Sequence, residues 1–243
     1  ESYEDFQEAK QLGARYFQGY FFAKPNVLRA ENLKGSRSHH YEILAEVCSA
    51  DMNFARLENL LRQDLSLSWL FFRYLNSAQF SWSTEIRSLR HAFSLLGAES
   101  LRKWVLLAVI PCMASSKPHE LVVESLLRAR FCELLTESTN PHSRASELFL
   151  VGLLSMLDAI MDAPLSQVVH ELNLPPDVRQ VLMGEPEANP LMSSITQLAR
   201  EYMALDAATL GRRCEELGFD LHFVAKTYME ADLFARRVFQ LFA

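Results

Sequence analysis

The sequence is poor in glycine, with eight among 243 residues. Turn-rich β proteins need glycine where the backbone turns left-handed, so this scarcity favours helices over sheets. Basic charge is also short: 24 Lys and Arg stand against 30 Asp and Glu, a formal net charge of −6. A phosphate-binding surface needs clustered Lys and Arg, and here they are dispersed, which argues against a nucleic-acid partner. Pairs such as Arg212-Arg213 and Arg236-Arg237 read as solvated helix faces. The four cysteines, Cys48, Cys112, Cys132 and Cys214, are far apart and form no CxxC. They read as buried, reduced thiols of a cytoplasmic protein, without the close ligand pairs that a zinc site needs. No signal peptide is expected, and the longest apolar run, Trp104 to Ala114, is far short of the ~20 residues that span a bilayer. No initiator Met precedes Glu1, which reads as a segment of a longer protein.

What the chain has in plenty is hydrophobic side chains, 49% of the total. At this length it buries roughly three quarters of its unfolded surface and needs no disulfide. Two compositions meet near residue 35. Residues 1–34 read as a short helix ending at Gly13, then an aromatic run from Tyr16 to Phe22 with strand character, stopped by Lys24-Pro25. A polar stretch, Lys34 to Ser38, looks like a linker.

From there the period is helical to the end. Leu57, Leu60, Leu61 and Leu65 recur at spacings of three and four and share one face. Ser83 is a plausible N-cap for a helix striped by Ile86, Leu89, Phe93 and Leu96, with Gly97 as its stop. Leu101, Trp104, Val105, Ala108, Val109 and Cys112 stripe the next, which Pro111 kinks or ends. Val123, Leu127, Phe131, Leu134 and Leu135 follow, and the uncharged run Leu148–Leu157 reads as a central buried helix. Breaks fall at Pro164, Pro175-Pro176 and 184–190, and the final helices cover about 191–204, 207–216 and 220–241. Such a pattern is stable only as a packed bundle.

Several motifs now agree with one family. Leu75-Asn76-Ser77-Ala78, then Ile86 to Ala92, Leu95-Leu96-Gly97 and Leu101-Arg102-Lys103-Trp104, resemble the HDOD signature. Glu124 to Ala129 and Gly152-Leu153-Leu154-Ser155-Met156-Leu157-Asp158 resemble the subgroup that joins an EAL domain to an HDOD domain. Upstream, Leu12 to Pro25, with Gln18-Gly19-Tyr20 before Lys24-Pro25, resembles the closing segment of an EAL domain, a barrel that hydrolyses or binds cyclic di-GMP. The resemblance implies an all-α, HD-like multi-helix bundle over 35–243, preceded over 1–34 by a helix and strand left from an EAL barrel.

HD hydrolases hold divalent metal with an adjacent His-Asp pair, which acidifies a bound water and positions phosphate. In the related hydrolases the pair follows a Gly-Leu-Leu run, and the residues at that place here are Ser155 and Met156. A hydroxyl is a weak ligand for such an ion and a thioether is the wrong kind. None of the seven histidines is followed by Asp, and His39-His40, beside the linker, has only Glu42 and Glu46 nearby. Neither a GxSxG elbow nor a P-loop is present. Asp158 and Asp162, one turn apart, read as the solvent side or end of a helix. The expectation is therefore no metal, no cofactor and no catalytic residue: a chain that is not an enzyme.

The resemblance implies instead a regulatory, protein-interaction module in bacterial signalling linked to cyclic di-GMP. Its expected partners are signalling proteins with GGDEF, EAL or response-regulator domains. The ancestral pocket would lie near Ser155 and Asp158, with Arg128 and Arg144 as anion contacts or, for each, an ordinary ion pair with a neighbouring Glu. Trp69, Phe80 and Trp82 could present a partner surface, although core packing is the commoner role of such rings. Two alternatives stay open: a metal-dependent phosphohydrolase with an atypical site, and a nucleotide-sensing regulatory domain.

Overall fold

Helical periodicity, caps and breaks translate directly into the architecture of the computed structural model, which describes residues 8–14, 39–75, 88–139 and 144–242. Among these residues every regular element is a helix. In chain order they are α1 (His39–Cys48), α2 (Phe54–Gln63), α3 (Leu65–Leu75), α4 (Leu89–Met113), α5 (His119–Glu137), α6 (Ala145–Leu154) and α7 (Leu157–Met161). Then come α8 (Leu165–Glu171), α9 (Pro176–Met183), α10 (Pro190–Met203), α11 (Ala207–Leu217) and α12 (Leu221–Phe242). Residues 8–11 add a helical turn that ends at Gly13, whose φ of 89° suits glycine. Gln18, Gly19, Tyr20, Lys24 and Pro25, and the strand expected around them, lie outside the described residues.

The centre of the bundle is α5, packed between α6 and α12. Helix α6 is buried on all sides from Leu148 to Leu154, as its lack of charge requires. It stops earlier than its apolar run, because Ser155 and Met156 turn the chain before α7 begins. Trp104 of α4 is fully buried with its ring centroid 4.3 Å from that of Phe71 on α3. Lys103 ties α4 to α5 by reaching both carboxylate oxygens of Glu133 at 2.6 Å.

Several local expectations shift. Leu57, Leu60 and Leu61 are buried together, but Leu65 is 82% exposed. Asp64 ends α2 in an extended conformation and its side chain accepts from Leu67 N, so a new helix starts there and the stripe is broken. Ser88 caps α4, accepting from His91 N at 3.1 Å; Ser83 lies outside the described residues. Gly97 interrupts α4 with φ 73° and ψ 170°, so the stop read at that glycine is a kink between two helical segments. Trp69 is 59% exposed and carries the Arg73 guanidinium 4.6 Å above its ring, so it is no core residue; Phe80 and Trp82 lie outside the described residues.

The C-terminal helices are locked by charge as well as packing. Arg213 of α11 donates to both oxygens of Glu201 on α10, at 3.0 and 3.3 Å, and the Glu201 side chain is almost covered. The Arg213 hydrogen bonds hold the Glu201 carboxyl below the ordinary carboxylate range. The folded state therefore favours the ionised form. Its contribution is complete above the unfolded Glu pKa of about 4.3 and is lost as pH falls through the lower folded value. Glu201→Gln is expected to cost about 1 kcal/mol at pH 7. Urea unfolding of both proteins should show that difference shrinking steadily below about pH 4. A difference that persists at pH 3 would mean the pair contributes by packing alone.

Candidate functional site

Ser155 and Met156, which the family resemblance sets where a His-Asp pair would stand, follow the crossing of α5 and α6. Gly152 makes the crossing close: a Cβ there would lie 2.7 Å from Ala129 Cα and 2.7 Å from the Arg128 carbonyl oxygen. Immediately after it the chain leaves α6, and Ser155 donates to the Gly152 carbonyl at 2.8 Å. The same hydroxyl accepts from Arg128 Nη1 at 3.1 Å. Arg128 Nη2 donates to Glu124 Oε1 at 3.0 Å, one turn earlier on α5. Both partners of that ion pair are mostly covered, and Arg128 Nε is buried with no hydrogen bond. Met156 is buried in the core.

Asp158 and Arg200 complete a group of charges. Burial pushes the Asp158 carboxyl up against the attraction of Arg128 and Arg200, while its Oδ1 accepts from the Ala159 N–H at 2.8 Å. Burial also raises Glu124, and burial with the like charge of Arg128 lowers Arg200. Arg128 and Glu124 pair beside the Ser155 hydroxyl, and Asp158 and Arg200 are near enough to feel the Arg128 charge.

Of the residues expected at this place, the structure brings together Arg128, Ser155 and Asp158. Arg144 belongs elsewhere. It precedes α6, pairs with Glu147 at 3.2 Å and with Asp177 of α9, and meets α10 at Met192, two turns before Arg200. A neighbouring Glu is thus one of its partners, the alternative left open for Arg144. Asp158 and Asp162 do not act as a pair, since Asp162, left-handed at φ 53°, takes Lys117 as partner at 2.5 Å. His40 bonds to Asp64 and His39 to the Leu60 carbonyl oxygen. Among the described residues no three His, Cys, Asp or Glu side chains gather where they could hold one ion. Cys48 and Cys132 are buried and their thiols are pushed up to about 12.

Sequence reasoning missed a neighbouring groove of about 450 Å³ between α5, the end of α10 and α12. Glu124 lies in its wall and so joins it to the charge cluster. Tyr228, Asp232, Arg236 and Gln240 line the other side at successive four-residue steps of α12. That regular stripe was visible in the sequence, but only the packing of α12 on α5 turns it into a wall.

Comparison with known proteins places this geometry. Residues 38–172 match the HDOD domain. The cyclic di-GMP phosphodiesterase CdgJ of Vibrio cholerae is 33% identical over 99% of this chain and 55% of its own length. The uncharacterized protein YuxH of Bacillus subtilis is 30% identical over 95% of the chain and 56% of its own. The chain therefore spans about half the length of these curated relatives. Among solved structures, a provisionally named phosphohydrolase from Shewanella amazonensis SB2B superposes with a TM-score of 0.55 at 16% identity, over 91% of this chain and all of that one. A provisionally named signal transduction protein from Marinobacter aquaeolei VT8 superposes with a TM-score of 0.52 at 14% identity, over 98% of this chain and 65% of that one. These likenesses concern the fold.

One expectation is overturned. The chain was expected not to be an enzyme, yet a relative aligned along nearly all of it is named a phosphodiesterase. The missing His-Asp pair speaks only to a metal site inside the helical bundle, and almost half of that relative lies outside the alignment. The HDOD match itself begins at residue 38 and gives no support to the EAL resemblance upstream. With the helical bundle, the motifs and the match in agreement, the chain belongs to the HDOD domain family.

Proposed function

We propose that this chain regulates the turnover of cyclic di-GMP, its HDOD bundle acting within a phosphodiesterase through contacts with other signalling proteins. The observation that carries the reading is the fate of the metal position: Ser155 is held between Arg128 and the Gly152 carbonyl, and Met156 is core. Where the resemblance implies phosphate chemistry, this chain has a serine held by an arginine that is itself ion-paired, an arrangement fit to hold a shape.

The link to the dinucleotide rests on the relative from Vibrio cholerae, whose alignment covers 99% of the chain and so takes in the segment before residue 38. That segment carries Gln18-Gly19-Tyr20 and Lys24-Pro25, the features resembling the end of an EAL domain. In this reading residues 1–34 continue an EAL domain and 35–243 form the HDOD unit. GGDEF, EAL or response-regulator proteins are its partners, and the setting is the cytoplasm. Among the described residues no helix is long and apolar enough to cross a membrane.

The test is the cyclic di-GMP content of host cells, by mass spectrometry, with the gene intact and disrupted. Disruption is expected to change the level by about fivefold, the scale of an ordinary regulatory coupling. An unchanged level under conditions where the protein is present would sink the proposal.

A further inference from the structure

We infer that the groove between α5 and α12 is a docking site for a basic segment of a protein partner, one that inserts an arginine or lysine side chain. The inference goes beyond the reading above and does not depend on the dinucleotide. The groove has the volume of a small binding site, about 450 Å³. From Tyr228 to Gln240 its α12 wall runs on the order of 18 Å, enough to lie along several side chains of an extended or helical segment.

Charge selects the occupant. Glu120, Glu124 and Asp232 line the groove against one guanidinium, Arg236. Arg236 is already paired through Nε to Asp232 at 2.8 Å, and Arg128 balances Glu124 from behind. The excess charge is negative and sits at Glu120, an exposed carboxylate with no ion pair among the described residues. Glu124 uses only Oε1 toward Arg128 and, being half-buried, is short of donors. A cationic head with several N–H groups supplies what both carboxylates lack.

The walls suit the rest of such a side chain. Val123, Leu127 and Phe239 offer apolar surface for a methylene stem. His119 lies against Phe239, ring centroids 5.0 Å apart and planes inclined by 50°, which brings two aromatic rings into the wall, either of which suits a stacked guanidinium. An anion such as a dinucleotide meets the unpaired Glu120 carboxylate and is disfavoured.

The experiment titrates the full chain with a 12-residue amphipathic peptide carrying arginines on one face. Isothermal calorimetry reads affinity, and NMR shift mapping reads location. Binding is expected to weaken about tenfold in the double variant Glu120→Gln/Asp232→Asn, and to be unchanged in Glu42→Gln/Glu215→Gln, exposed acids away from the groove. The same peptide with glutamates in place of arginines should not bind. Equal weakening by both pairs of substitutions, or shifts that map outside the groove, would show general attraction to an acidic protein and overturn the inference. So would spermidine binding as tightly as the peptide, which would make the occupant a free polyamine. Unchanged melting temperatures keep either result interpretable, and should one variant unfold, Glu120→Gln alone serves in its place.

Discussion

Replacing Gly152 by alanine is expected to destabilise the protein by about 2 kcal/mol, and by valine more than about 3 kcal/mol. The alanine Cβ would sit 2.7 Å from two atoms of the α5 backbone, Ala129 Cα and the Arg128 carbonyl oxygen, and 2.9 Å from Ala129 N. Backbone cannot swing aside as a side-chain tip can, so α5 and α6 must separate. Overpacking of this kind costs up to about 3 kcal/mol, while leaving glycine in a helix interior returns about 1 kcal/mol of propensity. Sterics win. For a chain of this size the net corresponds to a fall of roughly 4–8 °C in melting temperature. Thermal unfolding of Gly152→Ala checks it, and a change under about 1 °C would mean that the helices cross less closely than described. The same separation pulls Arg128 from Ser155.

Arg128→Met is expected to cost about 3 kcal/mol at pH 7.5. The side chain leaves behind Glu124, half-buried and deprived of its guanidinium, and a Ser155 hydroxyl that has lost a donor. Burial already raises the Glu124 carboxyl in the presence of Arg128. Without the arginine it rises further, so the folded variant takes up a proton at a pH where the unfolded chain does not. A raised folded pKa on an acid means that stability improves as pH falls toward it. The deficit of the variant should therefore shrink between pH 7.5 and 5, measured by urea unfolding. In Arg128→Met/Glu124→Leu no charge is stranded, and most of the loss should be recovered. A deficit independent of pH, or a double variant no better than the single, would show that Arg128 contributes packing rather than charge.

How much of this was legible in the sequence depends on the range of the interaction. Helix ends are written locally: Gly13 marks a boundary because it admits a positive φ, and Pro164 and Pro176 because they fix φ and lack an N–H. The last three helices lie within a residue or so of their expected limits. Leu65 was misplaced because Asp64 both ends one helix and caps the next, and a periodic stripe reads smoothly across such a joint. The Gly-Leu-Leu-Ser-Met run set Ser155 beside the end of a buried helix, and the ion pair of Arg128 with Glu124, one turn earlier, was legible from spacing alone. For Arg144 the pair with nearby Glu147 was legible, while the second partner, Asp177, lies 33 positions away on another helix and was not. Arg200 and the α12 wall were illegible for the same reason. The enzymatic expectation failed differently: one absent metal site was made to speak for a whole protein of which the chain matches about half.

The most direct test of a regulatory role is the rate of cyclic di-GMP hydrolysis by the protein as isolated from its host. Wild type should be compared with Arg128→Met/Glu124→Leu, a variant expected to stay folded. The account predicts measurable hydrolysis that changes by about fivefold or more in the variant, because the altered cluster shifts the bundle's contact with the catalytic machinery. Hydrolysis at the same rate in both folded proteins, or none in either, would contradict it.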